Sequence, residues 1–157
     1  MNQDSVDLLE MFAQHQVRFL VVGAHALGFH GCPRYTGDLD LWIDCRDDNA
    51  DRVWLALQDF WGAAQIGNLS RDDFSKEDFV VQFGFPPNRI DLITGISGLD
   101  FDSAWQRQVR CQQGTLDLPV LGLQDLRTNK AACGRKKDLA DLETIDRLLE
   151  RRKGLGL

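Results

Sequence analysis

The sequence predicts a mixed α/β domain, a central mixed sheet flanked by helices and closed by further helices at its C-terminal end. Three observations carry this. Strand-length apolar or alternating runs at 17–22, 35–45, 79–83 and 89–94 are interleaved with segments of helical period. Two of those runs, 79–83 and 89–94, are joined by Gly84-Phe85-Pro86-Pro87-Asn88, so they form a hairpin and bring an antiparallel pair into the sheet. From residue 123 onward the pattern is helical almost throughout. A chain of 157 residues suits one domain spanning 1–157 with one core.

The elements follow in order. Residues 4–14 carry Val6, Leu9 and Phe12–Ala13 at helical spacing, with Asp4 or Ser5 as the cap. Residues 17–22 are a nearly continuous apolar run of a buried strand, ended by Gly23, and 24–30 form a short helix stopped by Gly31-Cys32-Pro33. Residues 35–45 alternate: Leu39, Leu41 and Ile43 on one face, Asp38, Asp40, Trp42 and Asp44 on the other. Asp47-Asp48-Asn49 caps a helix bearing Val53, Leu55, Leu57, Phe60 and Trp61. Residues 62–78 are polar and irregular. After the hairpin come a short helix at 101–108, weak strands around Gly114 within 109–120, and helices at 123–132 and 137–152. The last has an apolar stripe of Leu139, Leu142, Ile145 and Leu148–Leu149, and its tail from Lys153 is expected to fray.

Composition narrows the function. No apolar run approaches the ~20 residues that cross a membrane, and the N-terminus lacks a signal peptide's basic start and apolar stretch, so a cytoplasmic protein is expected. The net charge of −6 disfavours general DNA binding, which calls for a basic face. Cys32, Cys45, Cys111 and Cys133 form no Cys-x-x-Cys pair and are expected as free thiols. His25, His30 and Cys32 lie close in sequence without the clustered spacing of a zinc site.

The chemistry-bearing residues are acidic. Asp38 and Asp40 share one strand face at a separation of roughly 6.5–7 Å. Two carboxylates so close repel, and need solvent or a cation between them. Hard oxygen ligands suit Mg2+ or Mn2+. Asp-x-Asp alone is also an ordinary solvated strand face. Asp91 adds a third acid inside the apolar strand Arg89-Ile-Asp-Leu-Ile, where a carboxylate faces a polar site, pairs with a cation or lies at a sheet edge. Together the three can ligate a two-metal site, and Asp91 can also act as general base on an acceptor hydroxyl. Gly23 and Ala24, at a strand–helix junction, can turn backbone N–H groups toward a phosphate.

Residues 19–30 (Phe-Leu-Val-Val-Gly-Ala-His-Ala-Leu-Gly-Phe-His), then Pro33-Arg-Tyr-Thr-Gly-Asp-Leu-Asp-Leu-Trp-Ile, resemble the start of a nucleotidyltransferase domain of the polymerase-beta type. The resemblance is closest to the small prokaryotic branch related to AbiEii toxins. In that pattern Gly23-Ala24 stands for the first motif, Asp38-Leu39-Asp40 for the second and Asp91 for the third. Asp91-Leu-Ile-Thr-Gly95, Leu126-Arg-Thr-Asn-Lys130 and Arg135-Lys-Lys-Asp138-Leu-Ala-Asp141 resemble later motifs of the branch. The resemblance spans residues 17–150.

It implies a Mg2+–NTP site and transfer of a nucleoside monophosphate to a hydroxyl on RNA, protein or a small molecule, in a toxin–antitoxin or phage-defence setting. Asp38, Asp40 and Asp91 would hold metal. Gly23, Ala24 and Lys130 would hold phosphates, with Asp138 near the site and Arg34 reaching a phosphate from the loop before Asp38. Ala24 departs from the pattern, where Gly or Ser is usual. Larger relatives carry a further C-terminal domain that helps choose the acceptor, so a protein partner is also expected. Two other readings stay open: a nucleotide-binding module without turnover, and an interaction protein whose acids are merely solvated. Trp54 and Trp61, seven apart on one helix face, are expected in the core. Trp42 either joins that core or borders a nucleotide base.

Overall fold

The computed structural model describes residues 1–32, 37–62 and 66–157. Six strands make one mixed sheet in the order β3-β4-β2-β1-β6-β5. The strands are β1 (Phe19–Val21), β2 (Leu39–Ile43), β3 (Val80–Phe83), β4 (Ile90–Ile93), β5 (Val109–Gln113) and β6 (Leu116–Val120). The helices are α1 (Gln3–Gln14), α2 (Gly23–Phe29), α3 (Asp47–Trp61), α4 (Phe101–Gln106), α5 (Leu123–Cys133) and α6 (Lys136–Gly154). A short 3-10 turn, Arg71–Ser75, lies in the segment expected to be irregular and drives Phe74 fully into the core.

The mixed sheet follows from its connections. β3–β4 and β5–β6 are antiparallel hairpins, and β1–β2 is also antiparallel. The β2–β4 and β1–β6 pairs are parallel. Laterally paired residues share a face, so register sorts the sheet. Phe19 and Val21 pair with Ile43 and Leu41, and Leu39 and Leu41 pair with Ile90 and Leu92; all are buried. Phe12 of α1 meets Phe19 edge-on at 5.5 Å, and α3 packs on α1, so these helices cover that apolar face. The opposite face carries Asp40, Asp91 and Gln82 in one lateral row and Trp42, Ile93 and Val80 in the next.

The helices depart from expectation in four places. α1 is capped by Asn2, whose side chain accepts from the Ser5 N–H at 2.9 Å, and not by Asp4 or Ser5. Arg46 holds the N-cap position of α3, leaving Asp47 and Asp48 in the first turn, where carboxylates complement the dipole. Asn49 is fully buried and bonds the backbone of Arg18 and the Asp44 carbonyl, stapling α3 to the ends of β1 and β2. The apolar stripe of α6 meets the core at Ile145, Leu148 and Leu149 but not at its start. Leu139 is 55% exposed, while Asp138, Asp141 and Ile145 point inward, because the two acids meet a buried lysine. α6 also runs two residues into the segment expected to fray, as far as Gly154, and Leu155–Leu157 lie beyond it, exposed.

Trp42 belongs to the core. It is 2% exposed, with Phe101 of α4 edge-on at 5.0 Å. Trp54 and Trp61 are half-buried, Trp61 against Phe83 at 4.2 Å and Trp54 tilted toward Phe74 at 6.4 Å. All four cysteines are free.

Candidate active site

A cleft of about 750 Å3 opens between the Asp40–Asp91 face of the sheet and the α5–α6 turn. Its floor follows from register. Asp40 and Asp91 are direct partners on the parallel strands β2 and β4, which sit ~4.8 Å apart. Asp38 lies two residues before Asp40, on the same side. The three acids, separated by some fifty residues in sequence, line one cleft.

Two glycines make this arrangement possible. Gly23 opens α2 with φ +64°, and a Cβ there would collide with the Asp40 carboxylate. The backbone of α2 therefore comes right up to Asp40, and Gly23 and Ala24 both line the cleft. At the entry to β2, a Cβ on Gly37 would overlap the Pro87 carbonyl. Absence of a side chain at 37 lets the chain just before Asp38 lie against the connecting loop of the β3–β4 hairpin.

Burial and charge work against each other here. Burial, then the neighbouring Asp91 and Asp38, push the Asp40 carboxyl up to about 6. The positive charges of Lys130 and Lys137 oppose that shift from the facing wall. Asp91 is 6% exposed and already engaged. Arg89 donates to both its oxygens, Nε at 2.7 Å and a terminal nitrogen at 3.0 Å, and Gln82 Nε2 donates at 3.2 Å. The same guanidinium stands 3.3 Å from Asp38.

The wall is built by the α5–α6 turn at Gly134. Lys130 lines the cleft but is only 7% exposed, its Nζ 3.1 Å from Asp138 and 2.9 Å from Asp141. Asp138 is fully buried and is not part of the cleft lining. It accepts from the Arg135 backbone N–H at 3.2 Å and the Arg135 side chain at 2.7 Å, closing the first turn of α6. Burial alone would raise its carboxyl, but the hydrogen bonds from Arg135 and Lys130 prevail and hold it down at about 2. Asp138 thus bears on the cleft through Lys130 and Arg135. Arg34 lies outside the described residues.

Among the lining residues that carried no site assignment from sequence are four polar ones. Arg135 and Lys137 present positive charge at the start of α6, and Asn129 lines the cleft a turn before Cys133. The motif around Asp138 marks that turn but does not say which of its cations face inward. Gln82 follows from hairpin register: once 79–83 and 89–94 pair, one residue of the first strand must face Asp91, and here it is Gln82.

Among the described residues, no three His, Cys, Asp or Glu side chains stand as a ready-made metal shell. His30 of the sequence cluster is committed to the Leu121 carbonyl at 2.7 Å. The donor set of Asp38, Asp40 and Asp91 nevertheless fits a divalent cation. It is all oxygen, it is crowded, and the repulsion that adds to burial in raising Asp40 is one a cation relieves.

No family model and no curated protein matches the chain. The crystal structure of a putative nucleotidyltransferase from Thermotoga maritima is similar in fold, with a TM-score of 0.54 at 15% identity, over 94% of this chain and 91% of that one. The chain has a nucleotidyltransferase-like fold, a six-stranded mixed sheet flanked by helices.

Proposed function

We propose that the protein is a metal-dependent nucleotidyltransferase moving a nucleoside monophosphate from an NTP to a hydroxyl acceptor. The observation that carries this reading is the lateral pairing of Asp40 with Asp91, with Asp38 two residues away, on the floor of a cleft whose other wall bears Lys137 and Arg135. Asp38 and Asp40 would hold Mg2+ or Mn2+ jointly, with Asp91 completing the ligand set, and the metal would supply Lewis-acid charge at the phosphates.

The chain's own groups do the rest. Backbone N–H groups of Gly23 and Ala24 orient the phosphates, and Lys137, Arg135 and Lys130 line the cleft opposite the acids. Lys130 supplies less free charge than an unpaired lysine would, because Asp138 and Asp141 already neutralise it. The acceptor oxygen forms a bond to the α-phosphorus, the bond from that phosphorus to the bridging oxygen breaks, and pyrophosphate leaves. The acceptor proton passes to Asp91, which requires Arg89 to loosen its hold.

Calorimetric titration of Mg2+ with each of the four NTPs, against D38N/D40N as control, tests the reading. Binding lost in the control is the expected result; absence of binding with every NTP removes the metal–nucleotide site. One observation favours a second reading, nucleotide binding without turnover: both oxygens of Asp91 are engaged by Arg89. Binding with no pyrophosphate release in the presence of RNA, protein and small-molecule acceptors would select it. A toxin–antitoxin or phage-defence role belongs to the AbiEii-like resemblance, and growth arrest on expression, or its relief by a partner, is the assay. No described helix is long and apolar enough to cross a membrane.

A further inference from the structure

We infer that Arg89 is an exchangeable counterion, holding the acidic site together without metal and releasing Asp91 to metal only when a triphosphate is there to receive the guanidinium. The inference rests on the metal–nucleotide reading above. Three acids on one cleft floor would drive the strands apart unless positive charge sat among them. Arg89 supplies it. The Arg89 carbonyl accepts from the Leu39 N–H at 2.8 Å, which anchors its backbone between β2 and β4. From there its side chain, about three-quarters buried, reaches across the floor. It grips Asp91 bidentately at 2.7 and 3.0 Å and stands 3.3 Å from Asp38.

That grip conflicts with ligation. Both Asp91 oxygens accept from Arg89, and Oδ2 accepts from Gln82 as well. Three of its roughly four lone-pair sites are taken, so while the guanidinium stays the carboxylate is a poor ligand for a divalent ion. Arg89 must therefore swing toward the cleft, where Lys137 and Arg135 already gather positive charge. Alone, it would be left without a partner there. With a triphosphate present it exchanges a carboxylate for a phosphate group, since a guanidinium fork binds a pair of phosphate oxygens as well as a pair of carboxylate oxygens. Free metal then meets a competitor, whereas metal with nucleotide does not, and the two ligands bind with positive coupling.

The test uses the full chain and Mn2+, followed by loss of the free-ion electron paramagnetic resonance signal, first alone and then with saturating α,β-methylene analogues of the four NTPs. Wild type is expected to bind Mn2+ alone weakly and to gain on the order of tenfold or more with the effective analogue. Arg89→Gln is expected to bind Mn2+ alone on the order of tenfold more tightly than wild type, with most of the coupling lost. Arg89→Lys keeps the charge but not the fork and is expected to fall between them. Circular dichroism confirms that each variant is folded. Weaker or unchanged Mn2+ binding in folded Arg89→Gln, with Mn2+–analogue binding intact in wild type, overturns the counterion role alone. If Arg89→Gln does not fold, Arg89→Lys decides: affinity for Mn2+ alone at or below that of wild type overturns the role. Absence of Mn2+ binding in every protein, with or without analogue, overturns the metal–nucleotide reading and this inference with it.

Discussion

At the scale of single residues, the cleft is a place where ionised groups oppose folding on one side and support it on the other. Asp40 carries the cost: burial and the charges of Asp91 and Asp38 disfavour its ionised form. Removing that charge should stabilise the metal-free protein. Asp40→Asn, measured in chelator at neutral pH, is expected to gain roughly 1–2 kcal/mol, a rise of a few degrees in melting temperature for a chain of this size. The same change should abolish stabilisation by Mg2+–NTP. A metal-free melting point at or below that of wild type would mean that Asp40 is satisfied as it stands. Asp138 shows the opposite sign. Its folded carboxyl, held down to about 2 from 3.8, contributes stability that is fully present above about pH 4 and is lost as pH falls from about 4 toward 2. Asp138→Asn should cost roughly 3 kcal/mol near pH 7, because Lys130 stays buried with Asp141 alone. Urea unfolding across pH 2–7 should show the gap between variant and wild type narrowing below pH 4. A gap that does not change with pH would remove the charge from the explanation.

At the scale of elements, the decisive contacts are between backbone and side chain. The start of α2 lies against Asp40 because residue 23 has no Cβ, and its φ of +64° lies where L side chains are disfavoured. Gly31, at the far end of the same helix, also has positive φ (+98°) but open space around it. The two positions separate backbone conformation from collision. Gly31→Ala should cost on the order of 1 kcal/mol. Gly23→Ala should cost on the order of 2 kcal/mol or more and weaken Mg2+–NTP binding, since Asp40 must move. Denaturant midpoints of the two variants check this, and equal losses would show that the close approach at Gly23 has no energetic weight. Sequence reading found these elements because each has a local signature. Alternation marked β2, the Gly-Phe-Pro-Pro-Asn loop marked the β3–β4 hairpin, and apolar period marked α1 and α3. It misread only the start of α6, where the buried face is acidic. The apolar stripe lost Leu139 to solvent because Asp138 and Asp141 turn inward to Lys130, a tertiary charge pairing that periodicity does not contain.

At the scale of the whole molecule, legibility depended on what the sheet does with distance. Strand alternation put Asp38 and Asp40 on one face and an apolar strand singled out Asp91; strand order made Asp40 and Asp91 lateral neighbours, which no local pattern could state. Arg135, Lys137 and Gln82 stayed hidden because they enter the cleft only through an interhelical turn and a hairpin register. The same layout makes a prediction about the entire fold. The cleft divides the chain into two walls, the sheet with its β3–β4 hairpin and the α5–α6 pair. A ligand touching only the carboxylates would steady the strands; one that also carries phosphates to Arg135 and Lys137 must tie the walls together. Saturating Mg2+ with the preferred NTP should therefore slow amide hydrogen exchange both in 89–93 and in 130–138, and raise the melting temperature by roughly 5–10 °C at a hundredfold excess over Kd. Free Mg2+ should protect the strands much more than the helices. Protection confined to the strands even with NTP would leave the basic wall without a role in binding the triphosphate. Protection of the helices alone would move the nucleotide away from the three acids.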